Sequence, residues 1–118
     1  MEVQGKVWGT TRTLFKTDTF ALCHISINKG CFCSKHGHKH KHNRFYVLSG
    51  RLRITVWQTD YDLADVTTIG PGQMTSAVPG LKHRFEATED TEALEWYWVE
   101  LSGNDIERED VGGVLRIV

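Results

Sequence analysis

The sequence has no long apolar run. Nowhere does it approach the roughly 18 consecutive apolar residues that a membrane-spanning helix needs, and that argues against a membrane protein. Net charge is almost missing as well. Fourteen Lys and Arg against fifteen Asp and Glu leave −1 with the histidines neutral, so the molecule as a whole projects no field that would draw in nucleic acid or an anionic membrane. The three cysteines, Cys23, Cys31 and Cys33, cannot all pair, and MEVQGKVWG at the start lacks the apolar core of a secretory signal. Both features lead us to expect a reducing, cytoplasmic setting. No segment sustains an apolar period of 3.6 residues. The one helix-like stretch, Asn104 to Val111, has a capping Asn followed by acidic residues but is long enough for only about two turns. Repeats, low-complexity tracts and linkers are also missing, so we expect a single domain over 1–118 with a core that needs no disulfide staples.

Turn signals are plentiful: Asn28-Lys29-Gly30, Ser49-Gly50, Asp60 to Asp62, Gly70-Pro71-Gly72, Pro79-Gly80, Thr88 to Asp90 and Ser102-Gly103-Asn104. Short runs rich in β-branched and aromatic residues lie between them, the punctuation of an all-β sandwich or barrel. FALCHISINK puts Ala21, Cys23, Ile25 and Ile27 on one face. After Gly50, Leu52, Ile54 and Val56 alternate with Arg51, Arg53, Thr55 and Trp57. Each reads as a strand with one apolar side. ALEWYWVEL, residues 93–101, is apolar nearly throughout and predicts a strand covered on both faces.

Four of the six histidines, His36, His38, His40 and His42, fall at even positions between Gly30 and Gly50. On a strand that spacing places all four imidazoles on one side and Lys35, Lys39 and Lys41 on the other. Neutral imidazole suits zinc, iron, nickel and copper, and histidines one residue apart can share an ion. A complete site needs a ligand from elsewhere in the chain, and His83, just after the Pro79-Gly80 turn, is the obvious donor. The odd parity of Cys31 and Cys33 points them away from the His36 face, as buried inert thiols. His24 reads as structural or exposed. Trp57, Trp96 and Trp98 read as packing residues of the core or a dimer. Arg44, Arg53 and Arg84 are candidates for gripping a phosphate or carboxylate, which guanidinium matches bidentately.

Gly30, His36, His38, Asn43 and Gly50 fall on the frame of the first cupin motif, in which Glu normally stands at the position of Asn43. Gly72, Gly80 and His83 fall on the second, with Val78 at its Pro position and Ala87 at its Asn position. The stretch 30–87 therefore resembles a cupin. Lys6-Val7-Trp8-Gly9, HKHNRFYVLSG and LSGNDIEREDVGG are similar to the cupin domain of type II mannose-6-phosphate isomerases. Against that pattern His38 and His40 match the paired histidines, His36 replaces Gln, and Asn43-Arg44 replaces Glu-His. The resemblance implies a double-stranded β-helix, or jelly-roll, of two antiparallel sheets. It also implies a divalent metal (Fe, Zn, Mn or Ni) on His36, His38 and His83, a small-molecule ligand, and a homodimer. His40 and His42 then belong to the rim of the site or serve as alternative ligands, together with Asn43. An Asn offers at most a weak neutral oxygen where Glu would supply a negative charge and a proton acceptor. The three-histidine set keeps the full charge of the ion, with positions open for water or substrate.

Overall fold

The computed structural model describes residues 3–58, 63–100 and 114. Among these there is no helix, and so none long and apolar enough to cross a membrane. The described residues form nine strands: β1 (Val3–Lys6), β2 (Gly9–Lys16), β3 (Phe20–Ile27), β4 (His42–Ser49), β5 (Leu52–Trp57), β6 (Ala64–Ile69), β7 (Met74–Ala77), β8 (Lys82–Ala87) and β9 (Thr91–Trp98). They make a six-stranded sheet in the order β1-β2-β3-β9-β4-β7 and a three-stranded sheet in the order β6-β5-β8. Every pairing is antiparallel. The all-β barrel expected from the turn spacing, and the jelly-roll that the cupin resemblance implies, are the architecture observed. The helix-like Asn104 to Val111 and the turn at 60–62 lie outside the described residues.

Alternation decides which residues enter the space between the sheets. Ile25 and Ile27 of β3, Phe45 and Val47 of β4 and Ala93 of β9 point inward from the larger sheet. Leu52 and Ile54 of β5, Ile69 of β6, and Phe85 and Ala87 of β8 meet them from the smaller one. Phe45 and Phe85 touch across the gap with ring centroids 5.9 Å apart. Each fully buried side chain of this kind contributes about 1.5–3 kcal/mol. One end is plugged by Trp8, from the turn between β1 and β2, packed edge-on to Phe85 at 5.0 Å. Trp8 is thus the core tryptophan. Trp57, Trp96 and Trp98 are only partly buried.

The β9 strand corrects the expectation of a segment apolar on both sides. It lies between β3 and β4, and Thr91, Ala93 and Glu95 are buried while Glu92, Leu94, Trp96 and Trp98 stay half-exposed. A central strand has both edges paired but only one face covered. The run of large residues hid a carboxylate on the inner face.

The β4–β5 turn depends on Gly50, at φ +89°. A Cβ there would collide with the Asp90 carbonyl oxygen and lie 2.6 Å from Thr91 Oγ1. That hydroxyl accepts a hydrogen bond from Arg51 N–H and donates to the Arg51 carbonyl, both at 3.1 Å. Gly50→Ala therefore strains the backbone and displaces the clasp. Chemical denaturation should show a loss of about 1–3 kcal/mol.

Candidate metal centre

The histidine-bearing segment is not the long strand that its alternation suggests. From Gly30 to His36 it runs antiparallel to β8 without forming a regular ladder. Gly30 N–H donates to the Ala87 carbonyl, Ala87 N–H to Cys31, and Cys33 N–H to Phe85. His36 and His83 then exchange both backbone hydrogen bonds, at 3.1 and 2.7 Å. Between the last two contacts the segment advances three residues, Cys33 to His36, while β8 advances two, Phe85 to His83. This is a bulge, and it reverses the parity of side chains along the segment. Cys33 and His36 consequently line the same cavity, whereas a regular strand would have turned them apart. Phe85 N–H, left without a backbone acceptor, donates to Cys33 Sγ at 3.2 Å. Burial raises the Cys33 thiol to about 11, so it is inert as the sequence suggested.

His36, His38 and His83 converge. Their donor atoms all lie within 4.8 Å of one another, and the ring centroids are 5.4, 4.6 and 5.8 Å apart. Gly80 N–H donates to the His38 carbonyl at 2.8 Å and so ties the second histidine to the turn that launches β8. His36 Nδ1 lies 2.8 Å from the Ser34 carbonyl oxygen. That bond requires the proton on Nδ1 and leaves the Nε2 lone pair free. His38 Nε2 is buried without a hydrogen-bond partner among the described residues, and a backbone hydrogen bond with Leu81 helps fix the His83 ring. Burial, reinforced by the neighbouring imidazoles, holds His38 below its usual range and His83 down at about 4. Both are neutral at physiological pH, the state a metal ligand requires.

Asn43, 0% exposed, stands beside this group on β4. Its Nδ2 lies 3.3 Å from His83 Nε2 and 3.4 Å from Glu95 Oε2, and Oδ1 has no partner among the described residues. Glu95 is 7% exposed, and its carboxyl also shares a hydrogen bond with the Tyr97 hydroxyl. Burial raises Glu95 to about 7 against the weaker opposing effects of Asn43 and Tyr97. Burial likewise raises Tyr97, with Glu95 adding to the shift. A cavity of about 690 Å³ opens between β1–β2 and the barrel interior, with Trp8, Thr11, Ser34, His36, Glu95 and Tyr97 among its walls. That size suits a small molecule. An unused buried nitrogen on His38, the neutral imidazoles of His38 and His83, and a free amide oxygen on Asn43 form a donor set that fits a divalent transition metal.

The Cupin_2 family model, described as a cupin domain, matches residues 23–100. The chain belongs to the cupin family. Among solved structures it is similar to a conserved protein of unknown function from Streptococcus pyogenes, with TM-score 0.65 and 22% identity over 78% of this chain and 75% of that one. It also resembles KdgF from a Halomonas species, with TM-score 0.71 and 14% identity over 86% and 90% of the two chains. Oxalate decarboxylase from Bacillus subtilis, described with Mn(II) centres, aligns at TM-score 0.73 and 20% identity over 88% of this chain, which spans only 29% of that enzyme. These likenesses show the fold. No curated protein matches the sequence.

Within this cupin the other sequence candidates separate from the cluster. His40 is exposed. His42 begins β4 on the face opposite Asn43, stacked on Trp98 at 5.1 Å and 3.3 Å from the Glu100 carboxylate. The expected single face of four imidazoles is therefore reduced to His36 and His38, because the regular strand starts only at His42. Arg44, Arg53 and Arg84 alternate with the inward Phe45, Ile54 and Phe85 and so lie on outer faces. Arg44 Nε donates to Ser76 Oγ, Arg53 pairs with Glu86, and Arg84 lies over Phe32. None of the three lines the cavity. His24 pairs with Glu92 at 2.8 Å, partly exposed, in keeping with a structural role. Glu95 was missed. The signal available was its place two residues from Ala93 on a strand flanked by apolar residues.

The raised Glu95 has a thermodynamic consequence. Between 4.5 and about 7 the folded chain holds a proton that the unfolded chain has released. Stability from this group is thus complete below 4.5 and lost as pH rises through about 7. Glu95→Gln keeps a neutral side chain at every pH. In urea denaturation of the metal-free protein its advantage over wild type should be small at pH 5 and grow at pH 8 to, at most, on the order of 3 kcal/mol. An advantage that does not vary with pH would contradict the assignment.

Proposed function

We propose that this cupin is a metal-dependent protein whose His36, His38 and His83 hold one divalent transition metal, Fe, Zn, Mn or Ni, and whose cavity takes a small polar ligand. The observation that carries the reading is the convergence of three imidazoles from two distant stretches, two of them held neutral by burial, with the buried His38 Nε2 having no other partner among the described residues. When bound, such an ion supplies a Lewis acid that polarises a carbonyl or hydroxyl oxygen. The protein's own groups do the rest. Ser34 fixes the His36 tautomer, Asn43 orients His83, and Trp8 and Phe85 wall off water on the apolar side. Asn43 contributes no charge where the motif has Glu, so the ion keeps its attraction for an oxygen-bearing ligand.

Among activities, sugar isomerisation of the mannose-6-phosphate isomerase kind is the first candidate, through the resemblance of the flanking segments. A phosphate group finds little support in the cavity wall. The three arginines face outward, and Lys6 is the only cation among its described lining residues. A hydroxylated compound without phosphate is therefore the better match. A ligand-binding cupin without turnover is the second reading, favoured by Asn43. Oxygen-dependent chemistry at a three-histidine iron site stands behind both. The homodimer belongs to the same proposal, supported by exposed Val3, Leu14 and Phe15 on β1 and β2 at the sheet edge.

Protein purified without a nickel column should carry one metal ion per chain by mass spectrometry. His36→Ala and His83→Ala should each lower metal affinity by at least about a hundredfold, the upper end of what losing an outer hydrogen-bond partner costs. Wild-type protein without stoichiometric metal, even after exposure to each of the four ions, would refute the proposal.

A further inference from the structure

The inner face of the barrel holds a carboxylate that neither cupin motif contains. Glu95 comes from β9, the strand paired with β4, and stands diagonally across from the Asn43 position where the motif has its acid. Asn43 Nδ2 lies 3.4 Å from Glu95 Oε2 and 3.3 Å from His83 Nε2, so one amide joins the carboxyl to the histidine cluster. Glu95 and His36 line the same cavity, together with the hydroxyls of Thr11, Thr13 and Ser34. A carboxylate is costly to bury and is retained in a core where something uses it. We propose that Glu95 is the proton-transfer residue of this site, and that its substrate is a small hydroxy-carbonyl compound held in the cavity that His36 and Glu95 share.

The substrate class follows from charge and from protons. A dicarboxylate such as oxalate would bring two negative charges against Glu95 and offers no C–H proton to take. A hydroxy-carbonyl compound is neutral, donates hydrogen bonds through its hydroxyls, and carries an acidic C–H next to its carbonyl. In the step that Glu95 performs, this C–H bond breaks and its electron pair stays on the substrate, delocalised onto the carbonyl oxygen. The proton passes to the Glu95 carboxylate. Return to the same carbon exchanges it with solvent, and return to the neighbouring carbon, with the hydroxyl proton passing to the former carbonyl oxygen as the new C=O forms, isomerises the compound. No electrons leave, so no oxidant is required. The Asn43 amide and the Tyr97 hydroxyl hold the Glu95 carboxyl in place at the cavity wall, within reach of a molecule lodged beside His36.

This inference rests on the proposed metal centre, and the test separates the two. Zinc-loaded full-length protein is incubated in deuterated water with dihydroxyacetone or glyceraldehyde, and loss of the C–H signal is followed by proton NMR. Zinc content is measured on every sample. Wild type should exchange faster than zinc ion alone, Glu95→Gln should slow exchange about a hundredfold at unchanged zinc content, and Glu95→Asp should retain part of it. A readout independent of turnover is the carbon-13 resonance of the Glu95 carboxyl, assigned by its loss in Glu95→Gln. It should shift saturably as dihydroxyacetone is added. Zinc at one per chain with no exchange above the free ion, exchange in Glu95→Gln equal to wild type, or an unmoved Glu95 resonance would each overturn the role of Glu95 while leaving the metal centre standing. Absence of stoichiometric metal after exposure to each of the four ions would overturn the metal centre and, with it, the substrate assignment.

Discussion

Two backbone hydrogen bonds between His36 and His83 hold the candidate site together. They lock a segment with no regular ladder of its own onto β8, and they bring residues 47 positions apart into one cluster. The bulge that precedes them turns both Cys33 and His36 inward. Were the pairing one residue out of register, His36 would face solvent and the cluster would lose a member. The core protects this register. Phe45, Phe85 and Trp8 pack directly behind the histidines, so β8 cannot slide without opening apolar surface to water.

Neutral imidazoles are inexpensive to bury, and the site exploits that. Burial depresses His83 and His38, which keeps both rings neutral, each with one free lone pair, without any carboxylate partner. The acid is placed one strand away, at Glu95, with the Asn43 amide between it and His83. Binding groups and the ionisable carboxyl are thereby separated: buried His38 and His83 stay uncharged at neutral pH, and Glu95, raised by burial, titrates there.

Much of this was legible in the sequence. Turn spacing and alternation in FALCHISINK and in the segment after Gly50 predict the strands and their inward faces, because each has a strict period of two against a single core. His36, His38 and His83 could be named from two motifs that frame them. What stayed hidden depended on three-dimensional register. Parity along residues 30–42 assumes an uninterrupted strand; the bulge between Cys33 and His36 breaks it for Cys33, and the regular strand begins only at His42, which faces away from Asn43. Glu95 escaped because Trp96, Tyr97 and Trp98 dominate its strand and make both faces read as apolar. The outward placement of Arg44, Arg53 and Arg84 follows from a simpler signal. Their chemistry suits anions, but their alternation with Phe45, Ile54 and Phe85 already places them outside.

X-ray absorption spectroscopy of the metal-loaded protein addresses the central claim most directly, because it counts the ligand atoms around the ion. The account predicts three imidazole nitrogens at about 2.0–2.1 Å when zinc is bound, completed by oxygen and without sulfur. One imidazole should be lost in His83→Ala. A spectrum with fewer than three imidazoles in wild type, or with a sulfur ligand from Cys33, would contradict it.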